Sequence, residues 1–256
     1  MKPSWLVPEW PAPITVRALS TFRGGGASAA PYASLNLGDH VGDVPKIVAE
    51  NRRRLAAAAE LPAEPQWLTQ AHGTRVADLD AKIPHGPADA SFSRQPGRAC
   101  AILTADCLPI LLAADSGDLV AAAHAGWRGL AGGVIEATVG ALQVPPARLM
   151  AWLGPAIGPQ HFEVGAEVRT ALLERDPGAE AAFAPNARGH FMADLERLAR
   201  RRLAAIGIGR IYGGGRCTFA DEDRYFSHRR DGVTGRQATL VWLEPAGDDG
   251  KAVNDG

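Results

Sequence analysis

Three observations predict a single domain of mixed α/β class. Strand-like and helix-like segments intermingle from one end of the chain to the other. No compositional break, internal repeat or low-complexity linker divides it. Its 256 residues, 46% hydrophobic and 21% charged, suffice for one large core. That core is expected over about 14–243, followed by a frayed polar, glycine-rich tail over about 245–256.

Residues 14–22 (ITVRALSTF) read as a first strand, followed by the loop Gly24-Gly25-Gly26. Pro45 near its start and alanines through its last turns make 45–60 a helix. Residues 65–78 hold a short strand and the loop QAHGTRV, and the apolar run 99–113 is interrupted at Ala105-Asp106-Cys107. A strand over 118–124, a helix over 129–142 and a strand over 148–153 follow. Next come the loop GPAIGP and a helix over 163–174. Leu195, Leu198, Leu203 and Ile206 line one side of a helix over 193–206. Strands near 210–213 and 236–243 flank the polar stretch DEDRYFSHRRDGVTGR.

A net charge of −1 provides no electrostatic footprint for nucleic acid or an anionic membrane. The clusters Arg52-Arg53-Arg54 and Arg200-Arg201-Arg202 read as solvated helix faces. No apolar run approaches the roughly 20 residues that span a bilayer. MKPSWLVPEWPAP lacks the apolar stretch of a secretory signal. Three cysteines, Cys100, Cys107 and Cys217, argue against a disulfide scaffold and for a reducing compartment, so the expected location is cytoplasmic. The oligomeric state stays open, a monomer being compatible with all of this.

Three places put a metal-competent side chain at the polar break of an apolar element: His72 in QAHGT, Cys107 in TADCLP and His124 in AHAGWRG. Imidazole and thiolate suit zinc or copper, and three protein ligands leave a tetrahedral ion one open position. Taken singly, each residue also fits a hydrogen-bonded buried His or an inert Cys. Asp106 beside Cys107 reads equally as a partner to the site, a proton carrier or a turn-forming Asp. Arg75 and Arg128 follow the two histidines at short range and suit phosphate or carboxylate. Trp127 offers a stacking face or a packed lid. Gly126 and Gly129 are expected to let the chain turn sharply here. His40 reads as a loop residue, His161 is assigned no role in such a site, and His85 and His190 read as surface residues. Phe226–Asp231 reads as a functional loop or an ion-paired turn.

QAHGTRV, TADCLPI, HAGWRG, GPAIGP with FEV, and FSHRRDGVTGR occur in this order. With SLNLGDHVGD and the Asn51-Arg52 pair, they resemble the signatures of the YfiH/YlmD family, once labelled multicopper polyphenol oxidase or laccase. The resemblance runs from about residue 15 to 243, and five ordered motifs make it specific. It implies a single α+β domain with layered sheets flanked by helices, and a zinc site of His72, Cys107 and His124. It also implies purine nucleoside phosphorylase activity on adenosine, inosine and methylthioadenosine, with adenosine deaminase activity at the same site. Phenol oxidation with copper and a peptidoglycan-editing role are linked to the family as well. Where some members carry further cysteines, this chain has Gln160, His161 and Ala220, so no second thiolate-rich metal site is expected.

Seven histidines and no His-x-His pair fall short of the roughly ten ligands of a blue centre plus trinuclear copper cluster. Copper in the zinc site would account for phenol oxidation. Deamination would use a metal-activated water at C6, with Asp106 or another carboxylate moving the proton. For phosphorolysis the cations at hand are Arg23, Arg75, Arg128, Arg229 and Arg230. Arg75 and Arg128 are assigned to the phosphate or ribose side, and Arg23, Asn36, Trp127 and Arg229 to the nucleoside. Two alternatives remain. One is a hydrolase acting on cell-wall precursors, either metal-dependent or cysteine-dependent with Cys107 as nucleophile and His72 or His124 as base. The other is a metal- or nucleoside-binding protein without turnover.

Overall fold

The computed structural model describes residues 2–81 and 86–245, so the expectations for His85 and for the tail lie outside the described residues. The chain opens with β1 (Trp5–Leu6), β2 (Val16–Thr21) and α1 (Pro45–Ala58). Next come β3 (Gln66–Trp67), β4 (Val76–Asp78), β5 (Ala90–Ser93), β6 (Cys100–Thr104), β7 (Leu108–Ala114) and β8 (Val120–Ala125). Then follow α2 (Trp127–Gly132), α3 (Val134–Leu142), β9 (Leu149–Leu153), β10 (Glu163–Val164) and α4 (Ala166–Arg175). The order closes with β11 (Phe183–Pro185), β12 (Phe191–Ala193), α5 (Leu195–Ala205), β13 (Arg210–Gly213), α6 (His228–Asp231) and β14 (Gln237–Leu243).

The strands form a five-stranded sheet β1-β2-β14-β6-β3, a six-stranded sheet β13-β9-β7-β8-β5-β4 and a small sheet β10-β12-β11. Strand alternation stacks the two large sheets. On β6, Cys100 and Ile102 meet Leu111 and Ala113 of β7 between the sheets. Ala101 and Leu103 point the other way and pack with Leu55 of α1. Ile110 and Leu112 of β7 face Leu130, Ile135 and Leu198 of α2, α3 and α5. Both faces of these strands are therefore buried, which is why they read as unbroken apolar runs. The outcome is the α+β domain with layered sheets flanked by helices that the family resemblance implied.

Several local expectations need correction. The helix expected over 129–142 is two helices, because Gly133 takes a left-handed φ of 97° that ends α2 and begins α3. The helix expected from 163 starts at Ala166, since Glu163–Val164 pairs antiparallel with β12. Not all the clustered arginines are solvated. Arg202 is 7% exposed, ion-paired with Glu136 of α3 at 2.6 Å and donating to the Leu130 carbonyl, so it ties α5 to α2 and α3. Arg52 stacks on Trp67 and donates twice to the Leu37 carbonyl.

Candidate functional site

The sheet register assembles the site. Ala90 of β5 pairs with Ala123 of β8, which brings Asp89 beside His124; the His124 amide donates to the Asp89 carbonyl at 2.7 Å. On the other side Leu108 of β7 pairs with Ala125, so Cys107 lies across from Gly126. The loop between β3 and β4 delivers His72 from outside the ladder. The ligand atoms of His72, Cys107 and His124 all lie within 4.8 Å of one another. The Cys107 Sγ is 3.9 Å from His72 Nε2, and the two imidazoles meet edge to face with centroids 4.7 Å apart. Among the described residues this is the one group of three or more His, Cys, Asp or Glu side chains so arranged. Cys217 has no such company: its Sγ accepts from the amides of Gly158 and Ala220 beside His161, whose ring stacks on Phe219.

Asp89, absent from the sequence expectations, organises the centre. It is 1% exposed, and its carboxylate accepts from the amides of Ala71, His72 and Gly73 at 3.1, 2.8 and 2.7 Å. These bonds stabilise the left-handed φ of 58° at His72, a conformation that costs a non-glycine residue about 1 kcal/mol or more. The same carboxylate binds His124 Nδ1 at 2.9 Å. That bond places a proton on Nδ1 and leaves Nε2 to face Cys107, as in metal-binding histidines oriented by a carboxylate. Burial alone would raise the Asp89 carboxyl, but the His124 bond and the loop amides outweigh it and hold it below its ordinary value.

The donors suit a cation. Burial raises the Cys107 thiol, yet the charge and hydrogen bonding of His124, then of His72, bring it down to about 6. Burial lowers His124, but the Cys107 thiolate and Asp89 raise it to about 9. Without a metal, then, the pair is thiolate and imidazolium. Replacing the shared proton by one ion uses the same electrostatics, and two nitrogens and one sulfur fit zinc or copper with an open fourth position.

Gly126 proves necessary for space and not for a sharp turn. Its φ of −67° is open to any residue, but a Cβ there would fall 2.9 Å from Cys107 Sγ and 3.3 Å from His72 Cδ2. At Gly129 a Cβ would press on the carbonyls of His124 and Gly73 at 3.2 and 3.3 Å. Trp127 packs against the helical core, and the Arg128 guanidinium covers its ring at 4.3 Å, so the two brace the corner. Arg128 is exposed, as is Arg75, whose guanidinium crowds Gly86.

Asp106 sits at a left-handed φ of 93°, and its carboxylate accepts from Thr218 Oγ1 and the Arg229 amide, each at 2.7 Å. It thereby ties the 218–231 segment to the Cys107 corner. Several of the expected nucleoside contacts turn out to be internal. Asn36 is wholly buried, donates to Gly38 and Asp43, and accepts from the amides of Gly38 and Arg236. Arg23 donates to the carbonyls of Ala33 and Glu222 over Phe226. Arg229 donates to the Glu163 carbonyl over Phe162. Arg230 is fully engaged by Thr218, Phe219, Tyr225 and Asp231.

The family model described as multi-copper polyphenol oxidoreductase laccase matches residues 17–244. The chain belongs to that family. A purine nucleoside phosphorylase of Pseudomonas aeruginosa is 56% identical over 243 residues, covering 94% of this chain and 99% of that protein. The Escherichia coli purine nucleoside phosphorylase YfiH is 52% identical over 240 residues, covering 93% and 98%. The solved structure of Neisseria meningitidis protein NMB0706 superposes with a TM-score of 0.90 at 48% identity, covering 94% and 99%. That of YlmD from Geobacillus stearothermophilus gives 0.89 at 33%, covering 94% and 96%. No helix among the described residues is long and apolar enough to cross a membrane.

Proposed function

We propose that this chain is a cytoplasmic, zinc-dependent purine nucleoside phosphorylase. Its substrates are adenosine, inosine and methylthioadenosine, and it deaminates adenosine at the same site. One observation carries the reading: His72, Cys107 and His124 converge into one donor set, in a chain 56% identical to a protein named for this activity. Zinc bound there supplies a Lewis acid and lowers the pKa of water. In phosphorolysis a hydrogen phosphate oxygen bonds to C1′ as the C1′–N9 bond breaks. The electron pair leaves with the base, and the phosphate's proton ends on it. Deamination adds water to C6 and releases ammonia. Asp89 keeps His124 Nδ1 protonated and His72 in place, while Asp106 fixes the Cys107 corner. The exposed Arg75 and Arg128 are assigned to the phosphate or ribose side.

Protein of measured zinc content, incubated with adenosine and inosine with and without phosphate, tests this. Free base that forms only with phosphate supports phosphorolysis, and inosine formed from adenosine without phosphate supports deamination. If neither product forms, the reading is overturned.

A second reading, a cysteine hydrolase, is favoured by the thiolate–imidazolium pair of Cys107 and His124. One metal ion per chain occupying the thiolate would exclude a free nucleophile, so metal stoichiometry separates the two.

A further inference from the structure

Arg236 immediately precedes β14, where Gln237 pairs with Thr104 of β6, so the chain brings it alongside the Asp106–Cys107 corner. Its backbone is clamped on both sides: the amide donates to Asn36 Oδ1 at 2.9 Å, and the carbonyl accepts from the Leu37 amide at 3.1 Å. Its stem lies over Gly38, where a Cβ would fall 2.7 Å from Arg236 Cγ. Nη1 donates to the carbonyls of Thr234 and Gly235, each at 3.0 Å. Among the described residues Nε and Nη2 have no partner, no carboxylate lies within ion-pair distance, and neither nitrogen is sealed from solvent. Those two nitrogens form the edge that guanidinium presents to two oxygens of one oxyanion.

The contrast with its neighbours singles Arg236 out. Arg52, Arg23, Arg229 and Arg230 are engaged by carbonyls, aromatic rings or a carboxylate, as described above. Burial lowers the Arg236 pKa, and the two charges opposing this are those of Cys107 and Asp106. Guanidinium nonetheless stays protonated in proteins. Cys107 and Asp106 both lie within electrostatic range of this guanidinium, which places it beside the corner.

We propose that Arg236 is the phosphate-binding residue of this site, offering Nε and Nη2 as a fork to inorganic phosphate beside the His72–Cys107–His124 centre. The proposal rests on the phosphorylase reading. It assigns phosphate to Arg236 and leaves Arg75 and Arg128 to the ribose rim.

Zinc-loaded wild type, Arg236→Ala and Arg236→Lys provide the test, with inosine and inorganic phosphate varied separately. Loss of a bidentate charged contact should raise the phosphate KM about 10- to 100-fold in the alanine variant. The inosine KM should change far less and zinc content should stay the same. The lysine variant keeps the charge without the fork and should fall between; it decides the matter alone if the alanine variant does not fold. An unchanged phosphate KM, or equal rises in both KM values, overturns the assignment. If wild type performs no phosphorolysis, the phosphorylase reading fails separately. Arg236 is then judged by thermal shift in phosphate against chloride at equal ionic strength. Stabilisation of wild type that Arg236→Ala loses supports an oxyanion site, and no stabilisation of wild type overturns it.

Discussion

Asp89 and His124 face each other across the β5–β8 ladder and are joined twice, backbone to backbone at 2.7 Å and carboxylate to Nδ1 at 2.9 Å. One carboxylate thus orients the buried imidazole and, through three loop amides, the exposed one. The geometry of the His72, Cys107 and His124 donors depends on a residue outside the trio.

Replacing Asp89 by alanine should therefore lower zinc affinity about 10- to 100-fold, the usual cost of removing a ligand's carboxylate partner. It should also destabilise the metal-free fold by about 3 kcal/mol, because a buried imidazole and three amides lose their acceptor. Chelator competition and urea unfolding measure the two effects. A carboxylate held below its ordinary pKa contributes stability that is present above its unfolded value and is lost as pH falls through the folded value. The acid limb of the wild-type stability curve should accordingly be steeper than that of the variant.

Metal affinity should rise with pH in two regimes. Between about 6 and about 9, Cys107 is already thiolate while His124 still carries the extra proton. Binding must then expel one proton, so affinity should rise roughly tenfold per pH unit. Below about 6 the thiol is protonated too, a further proton must leave, and the slope should steepen. In metal-free protein the same thiolate should react with iodoacetamide with an inflection near 6, and zinc should protect it. Cys100, buried and raised to about 12, should stay unmodified. An inflection near the ordinary thiol value would contradict the ion pair.

The three donor side chains were legible in the sequence because His72, Cys107 and His124 recur in matching contexts, each beside a polar or glycine break next to an apolar segment. Asp89 was not legible: it precedes a four-residue strand that carries no alternation signal, and only the β5–β8 register brings it to His124, 35 residues away. Arg236 carries no such signal either, because only the β6–β14 register brings it to the Asp106–Cys107 corner. The apolar segments flanking the Asp106 break marked β6 and β7 as buried strands, whereas the layering of the sheets was an implication of the family resemblance. The break at Gly133 was not legible, because a helical hydrophobic pattern continues through it while the backbone reverses its φ. Arg52 and Arg202 looked solvated because sequence counts charge without revealing the ring or carboxylate across the fold.

Gly126→Ala separates space from conformation. Its backbone tolerates alanine, but the new methyl carbon would sit 2.9 Å from the Cys107 sulfur. The sulfur must move, so purified protein should carry less than half the wild-type zinc. The fold should lose about 1–3 kcal/mol, as for overpacking in a filled core. Full zinc content in a folded variant would show that the corner relaxes.

Asp106 allows positioning to be told apart from proton transfer. Its two oxygens hold Thr218 and the Arg229 amide, so Asp106→Ala leaves both donors unpaired and should cost about 2–3 kcal/mol. Proteolysis should then open the chain between 218 and 231 first. Asparagine tolerates the left-handed backbone and keeps one acceptor, so Asp106→Asn should retain most of that stability. If Asp106 only positions the corner, Asp106→Asn lowers kcat by a similar factor at every pH and leaves the pH profile in place. If it carries a proton during deamination, the limb of the profile that it sets vanishes in the variant. With both oxygens already engaged by donors, the first outcome is expected, and the pH dependence of kcat for adenosine decides between them.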